Sequence, residues 1–268
     1  MVSAGEQLPI ELHETVLSGT GIGGARPKAL ANIGEVPSLV KFSVSTDIFP
    51  AVEAEALASN LAARASINTA AVQAMFIGGR YALASTRFDR AAGSGERRLV
   101  VSALTIAGRD ELNSRYGTYP ELVQKLVAES SSPPSVGPQM FSRIAFNMMI
   151  SNNDDHLRNH AAFWDGKYLE LTPAYDLAPA ARREGAQSTQ TLAYGADGEK
   201  FANLRALISQ AHLYWLNEIE AESEVERLLD VVKSSLDDAS EEMEIPSASL
   251  AIIRSSFLHE TVTQDLYL

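Results

Sequence analysis

The sequence contains no cysteine. That absence removes disulfides, iron–sulfur clusters, cysteine nucleophiles and thiolate zinc sites, and it suits a reducing cytoplasm. Basic residues are scarce as well: 22 Lys and Arg stand against 34 Asp and Glu, a formal charge of -12. A broad grip on nucleic-acid phosphates needs the opposite balance, so no direct nucleic-acid contact is expected. Aromatic residues make up only 7%. Also missing are an unbroken apolar run of about eighteen residues and the basic start and apolar stretch of a signal peptide. No membrane association is expected, and the cytoplasm is the expected location. What is present is ordinary globular material, 46% hydrophobic and 21% charged over 268 residues. That is enough for one or two lobes with a sizeable core.

Strand signals dominate the first half of the chain. Residues 12–17 and 39–44 read as strands on either side of a glycine-dense run, and 50–65 reads as a helix rich in Ala, Glu and Leu with proline only at its start. Segments 72–77 and 81–87 flank Gly78-Gly79, a pair suited to closing a hairpin, and 98–106 reads as a further strand. The polar, proline-rich stretch 130–138 reads as a loop. Beyond it, Phe141, Ile144, Ala145, Met148 and Met149 repeat at helical spacing, and 200–212, 216–240 and 247–260 read as further helices. Strands first and helices later predict an α+β chain with a small β-rich N-terminal lobe, 1–90, and a helical C-terminal lobe, 91–268.

Gly19, Gly21 and Gly24 match a G-x-G-x-x-G pattern, which lets backbone N–H groups approach phosphate oxygens. A Walker loop would end in Gly-Lys-Ser/Thr, but Gly24 is followed by Ala25-Arg26-Pro27-Lys28. A dinucleotide fingerprint would open a long helix, which Pro27, Gly34 and Pro37 forbid. Strand, glycine loop and strand, with Lys41 in the second strand, is how protein-kinase-like folds cover and hold ATP phosphates. A surface turn and a solvated lysine are the plain alternative.

The sharpest signal is Asn153-Asp154-Asp155-His156-Leu157-Arg158-Asn159-His160 after the apolar helix. Phosphoryl transfer needs a carboxylate to take the proton of the attacking hydroxyl, and oxygen ligands to hold Mg²⁺ on the phosphates. In the kinase template H-R-D-x-x-x-x-N the base and the metal-binding Asn are five apart, a spacing met by Asp154 and Asn159 but not by Asp155. A second metal ligand is due after an intervening hairpin, where Asp176 stands. The rival zinc reading of His156 and His160 lacks the glutamate that a metalloprotease carries after its first His, since Leu157 is there. An Asp/Asn-rich turn that only caps backbone groups is the structural alternative.

These residues together, with Gly23-Gly24-Ala25-Arg26-Pro27-Lys28, Thr86-Arg87-Phe88-Asp89-Arg90 and Pro173-Ala174-Tyr175-Asp176-Leu177, resemble the HipA-like serine/threonine kinases, toxins of bacterial toxin–antitoxin modules. The resemblance runs from about Gly19 to His212. It implies a two-lobed protein-kinase-like fold using ATP and Mg²⁺, with Asp154 as catalytic base and Asn159 and Asp176 as metal ligands. Lys41 and the loop glycines Gly21, Gly23 and Gly24 would hold the nucleotide phosphates. Backbone groups of Thr86 and Phe88 would read adenine, and Asp89 would approach the ribose. Glu55 is the expected partner of Lys41, with Glu53 as its rival. The implied substrate is a Ser or Thr hydroxyl on a protein such as an aminoacyl-tRNA synthetase, and the implied partner is a helix-turn-helix antitoxin. Many members carry an extra N-terminal subdomain before the glycine loop. Here that loop starts within twenty residues of Met1, so a small separate partner chain or loss of the subdomain is expected. Gly21 stands where the family often has an autophosphorylated serine, which leaves Ser18 and Thr20 as candidates. A catalytically idle binding module would lack Lys41, Asp154 or Asp176, and a small-molecule or lipid kinase would show an apolar docking loop. Neither mark is found.

Overall fold

The computed structural model describes residues 27–44, 47–91, 96–181 and 188–266. Gly21, Gly23, Gly24, Ser18, Thr20 and the strand expected at 12–17 lie outside the described residues. Strands β1 (Lys28–Ile33) and β2 (Val36–Phe42) form an antiparallel hairpin in which Lys28 faces Lys41. Helix α1 (Ala51–Arg64) follows. Strands β3 (Val72–Ile77) and β4 (Arg80–Thr86) form a second hairpin. Its turn uses Gly78 at φ 57° and Gly79 at φ 77°, the two left-handed positions that a tight type I′ turn requires and glycine adopts without strain. The four strands make one antiparallel sheet in the order β1-β2-β4-β3.

The second half begins with β5 (Leu99–Ser102), which runs into the single turn α2 (Ala103–Ile106). Helices α3 (Tyr119–Glu129) and α4 (Pro133–Met149) pack on each other ahead of β6 (Ala161–Trp164) and β7 (Leu169–Leu171). Strands β5-β6-β7 form a separate three-stranded antiparallel sheet. Helices α5 (Leu204–Ser209), α6 (Glu218–Glu242), α7 (Ser247–Arg254) and α8 (Glu260–Thr263) close the chain. No helix among the described residues is long and apolar enough to cross a membrane.

Helix α1 is buried on both sides. Val52 and Ala56 pack with Tyr81, Leu83 and Met243, while Leu57, Ala58 and Leu61 join the large core of Phe141, Ile144, Met148, Leu228 and Val232. Each such large side chain withdrawn from water contributes about 1.5–3 kcal/mol. The helix that carries Glu55 is therefore fixed from below by the apolar stripe of α6. On that stripe Ala221, Val225, Leu228, Leu229 and Val232 are buried, and the glutamates between them keep the outer side.

Four expectations change. The proline-rich stretch is not all loop, because α4 starts at Pro133. Prolines in a first helical turn lose no intrahelical bond. Helix α3 was not anticipated; Thr118 caps it, accepting from the Glu121 N–H at 3.1 Å, with proline in its first turn. The strand expected at 98–106 stops at Ser102, whose Oγ accepts from the Thr105 N–H at 3.3 Å and turns the chain into α2. The helices expected at 200–212 and 247–260 are each broken, the first into α5 and a 3₁₀ turn, Ala211–Tyr214, the second into α7 and α8.

Candidate active site

Lys41 is the penultimate residue of β2, where the pleat aims it inward, and Glu55 lies one turn into α1. The Lys41 ammonium reaches Glu55 Oε1 at 2.5 Å and also contacts Asp176 Oδ1. Asn159 Nδ2 donates to the other Asp176 oxygen at 2.9 Å. Residues separated by as many as 135 positions thus converge on one carboxylate. The segment before Asp176 is pinned to the chain between α1 and β3: Ala174 N–H donates to Asn68 O at 2.8 Å and Ala70 N–H to Ala174 O at 2.9 Å. Asp176 itself has φ 58°, a left-handed conformation that aspartate tolerates better than most residues.

Burial would strip Lys41 of its proton, but Glu55 and Asp176 outweigh it and raise the ammonium above its ordinary value. Burial also lifts the Glu55 carboxyl, against the pull of Lys41. For Asp176, burial pushes upward, yet Lys41, with Lys28 and His156 beyond, holds the carboxyl below the usual range. The cluster is one cation shared by two carboxylates.

The neighbouring aspartates of the Asn153–His160 run differ completely. Asp155 is 2% exposed, and its Oδ2 accepts from Tyr119 Oη at 2.5 Å and Asn147 Nδ2 at 2.8 Å and pairs with His160 Nε2 at 2.9 Å. Burial acts to raise this carboxyl, but His160 and Tyr119 bring it below the ordinary value. Asp154 is exposed and has no hydrogen-bond partner among the described residues. Asp155 therefore anchors the loop while Asp154 is presented at the surface. His160 is spent on Asp155, and the 3₁₀ turn Leu157–Asn159 separates it from His156. The sequence pointed to Asp154 by spacing but missed the Asp155 anchor, whose partners Tyr119 and Asn147 lie on α3 and α4.

At the inter-strand exit from β4, the Thr86 N–H donates to Ala71 O at 2.8 Å, so only its carbonyl is left to meet a base. Phe88 N–H makes no backbone hydrogen bond among the described residues. The Phe88 ring packs 5.7 Å from both Phe163 and Tyr175, which sets this segment beside Asp176. The Asp89 carboxylate is clamped by Arg87 at 2.7 and 3.0 Å and by Arg90 at 2.7 Å. The hydrogen bonds from Arg87 lead in drawing it below its usual value. That clamp was not anticipated, though Arg87 and Arg90 flank Asp89 in the sequence.

Hard oxygen donors suit Mg²⁺. Asn159 Oδ1 is buried without a hydrogen-bond partner, although its amide nitrogen is committed to Asp176. An orphaned amide oxygen beside a carboxylate fits a divalent cation, with Asn159 and Asp176 as the residues that would hold it.

A family model, the HipA-like C-terminal domain, matches residues 20–240. The chain belongs to that family. Its fold is that of two solved structures. HipA of Shewanella oneidensis MR-1, in complex with HipB and operator DNA, aligns over 95% of this chain and 72% of its own with TM-score 0.72 and 20% identity. The Helicobacter pylori proinflammatory kinase CtkA aligns over 94% of this chain and 96% of its own with TM-score 0.63 and 12% identity. No curated protein matches the sequence. As a HipA-like domain, the chain has the mixed α/β kinase architecture expected from its motifs.

Proposed function

We propose that this HipA-like domain is an ATP- and Mg²⁺-dependent protein kinase that phosphorylates a Ser or Thr hydroxyl. One observation carries the reading: Lys41, Glu55, Asp176 and Asn159 meet in a single hydrogen-bonded cluster. A binding module has no need of a buried cation between two carboxylates, since such pairs gain little net stability over apolar packing. Lys41 is the charge that pairs with nucleotide phosphates, and Glu55 holds its ammonium in place. The Thr86 carbonyl and Phe88 N–H read the adenine edge, Asp89 faces the ribose, and Gly21, Gly23 and Gly24 cover the phosphates. Mg²⁺ supplies charge neutralisation on the transferring phosphoryl group, held by Asn159 and Asp176.

Asp154 accepts the hydroxyl proton while the hydroxyl oxygen bonds to the γ-phosphorus and ADP leaves. Its exposure and lack of competing partners fit it for that task, whereas Asp155 already accepts three hydrogen bonds. A division into lobes near residue 90 places these groups on both sides of one cleft. The substrate we favour is a translation protein such as an aminoacyl-tRNA synthetase, with a helix-turn-helix antitoxin as regulator and a small N-terminal-subdomain chain as a further partner. Ser18 and Thr20 are the candidates for self-phosphorylation. The test is transfer of radiolabelled phosphate from ATP into lysate proteins by wild type and Asp154→Ala. Loss of labelling with the variant is expected, and equal labelling by both would overturn the assignment.

A further inference from the structure

A second charged feature lies away from this cluster. Arg143 on α4 is 3% exposed, and its hydrogen bonds both leave from Nη2, to Thr172 O at 2.6 Å and Asn68 O at 3.5 Å. Nη1 is buried without a partner. Arg143 has no ion pair among the described residues, and Asp155, the carboxylate whose charge acts on it, is hydrogen-bonded to Tyr119, Asn147 and His160 instead. Burial accordingly lowers the guanidinium to about 10. A buried cation with a free donor and no direct ion pair is costly, and native proteins rarely keep one without a reason.

Arg143 forms one wall of a cavity of about 220 Å³ whose other walls include Ser66, Asn68, Gln139, Ser142 and Arg227. Its lining residues are polar except for Ile67. Its one acid, Glu224, is consumed by Arg227 at 2.7 and 2.8 Å and by Ser142 Oγ at 2.6 Å. Two guanidinium groups against one carboxylate leave a net positive lining.

We propose that this cavity is a binding site for a small oxyanion, phosphate-like or carboxylate, that forms a direct ion pair with Arg143. The Ser66 hydroxyl and the side-chain amides of Asn68 and Gln139 are the complementary donors. The site goes beyond the kinase reading and stands independently of it, but its position gives it leverage on the catalytic cluster. Asn68 O accepts from both Arg143 and the Ala174 N–H two residues before Asp176, and Ser66 to Asn68 follow the helix that carries Glu55. An anion bound there stiffens the connection on which both carboxylates depend.

The test is NMR of arginine side chains in the ¹⁵N-labelled wild-type chain, with Arg143 assigned through its own side-chain connectivities and titrated separately with inorganic phosphate, sulfate and acetate. A saturable shift of the Arg143 Nη resonances is expected. Response to phosphate and sulfate alone identifies a phosphoryl-type site, and response to acetate alone a carboxylate site; response to all three identifies a general oxyanion site. Arg143→Lys should weaken binding about tenfold or more, the loss expected for a charge-assisted hydrogen bond. Because the signal is specific to Arg143, phosphate binding at Lys41 does not mimic it, and the wild-type titration decides even if the variant does not fold. No shift of Arg143 with any of the three anions would overturn the proposal.

Discussion

Replacing Lys41 by Met removes the cation that two carboxylates share. Asp176 has 38% of its side chain exposed, so water hydrates its freed charge and that contribution is set aside. Glu55 has only 9% of its side chain exposed and is enclosed by α1, the sheet and the helical core. Without Lys41 it must take up a proton to stay folded. At pH 7 that costs about 3.7 kcal/mol, from 1.36 kcal/mol for each pH unit above the ordinary glutamate value of about 4.3. At pH 5.5 the same step costs about 1.6 kcal/mol. The sign follows from linkage: a carboxyl raised in the folded state contributes stability below its unfolded value and loses it as pH rises toward its folded value. Lys41→Met is therefore expected to trail wild type by about 3–4 kcal/mol at pH 7 and by about half that at pH 5.5, measured by urea unfolding with the Trp164 and Trp215 fluorescence. At pH 7 this is about 7–15 °C in Tm for a chain of this size. Adding Glu55→Gln to Lys41→Met should recover most of the loss at pH 7 without restoring phosphate transfer. Equal deficits at the two pH values, or a double variant no more stable than Lys41→Met, would refute the reasoning.

Asp155→Asn should destabilise the fold by about 3 kcal/mol, because hydrogen bonds to a charged acceptor contribute about 1.5–3 kcal/mol each and one oxygen receives three partners. Since the Asp155 carboxyl is held below its ordinary value, that advantage is present above about pH 4 and is lost as pH falls through the folded-state value, so the gap to the variant should close in acid unfolding curves. Gly137→Ala places a methyl 2.7 Å from the Tyr214 carbonyl carbon, backbone that cannot step aside, and should cost about 1–3 kcal/mol in thermal melts. Gly117→Ala meets the end of the Leu157 side chain at 2.7 Å instead; Leu157 can rotate, so the smaller loss there is the control.

Much of the first half was legible because its signals are local. Gly78-Gly79 dictates a tight turn by backbone freedom alone, and the Ala-rich run after Pro50 has little choice but a helix, so β3, β4 and α1 fall within a residue or two of their expected ends. The elements that failed were those decided by packing. Pro133 and Pro134 look like a loop until the helix that follows needs a first turn, and Pro138 inside α4 runs against propensity in a helix whose buried Phe141, Ile144 and Met148 hold it in the core. Helix α6 reads as polar because ten acidic residues crowd it, yet four buried aliphatics at helical spacing are enough to seat it under α1.

The Asn153–His160 run shows the same division at the scale of two adjacent residues. Spacing to Asn159 separates Asp154 from Asp155 on paper but supplies no physical reason for the choice. Burial does. One carboxylate is enclosed by Tyr119, Asn147 and His160, from a helix start, a helix end and the loop exit, and no local pattern links residues 36 positions apart. The other is left in solvent without a partner among the described residues. If the assignment is right, the two neighbours must fail in opposite ways: Asp154→Asn should abolish phosphate transfer while leaving Tm within about 2 °C of wild type, a surface change of no more than about 0.5 kcal/mol, and Asp155→Asn should lower Tm by several degrees. Loss of transfer with an unchanged melt in Asp155→Asn, and an active Asp154→Asn, would exchange their roles and show that burial, here, is the mark of the base and not of its anchor.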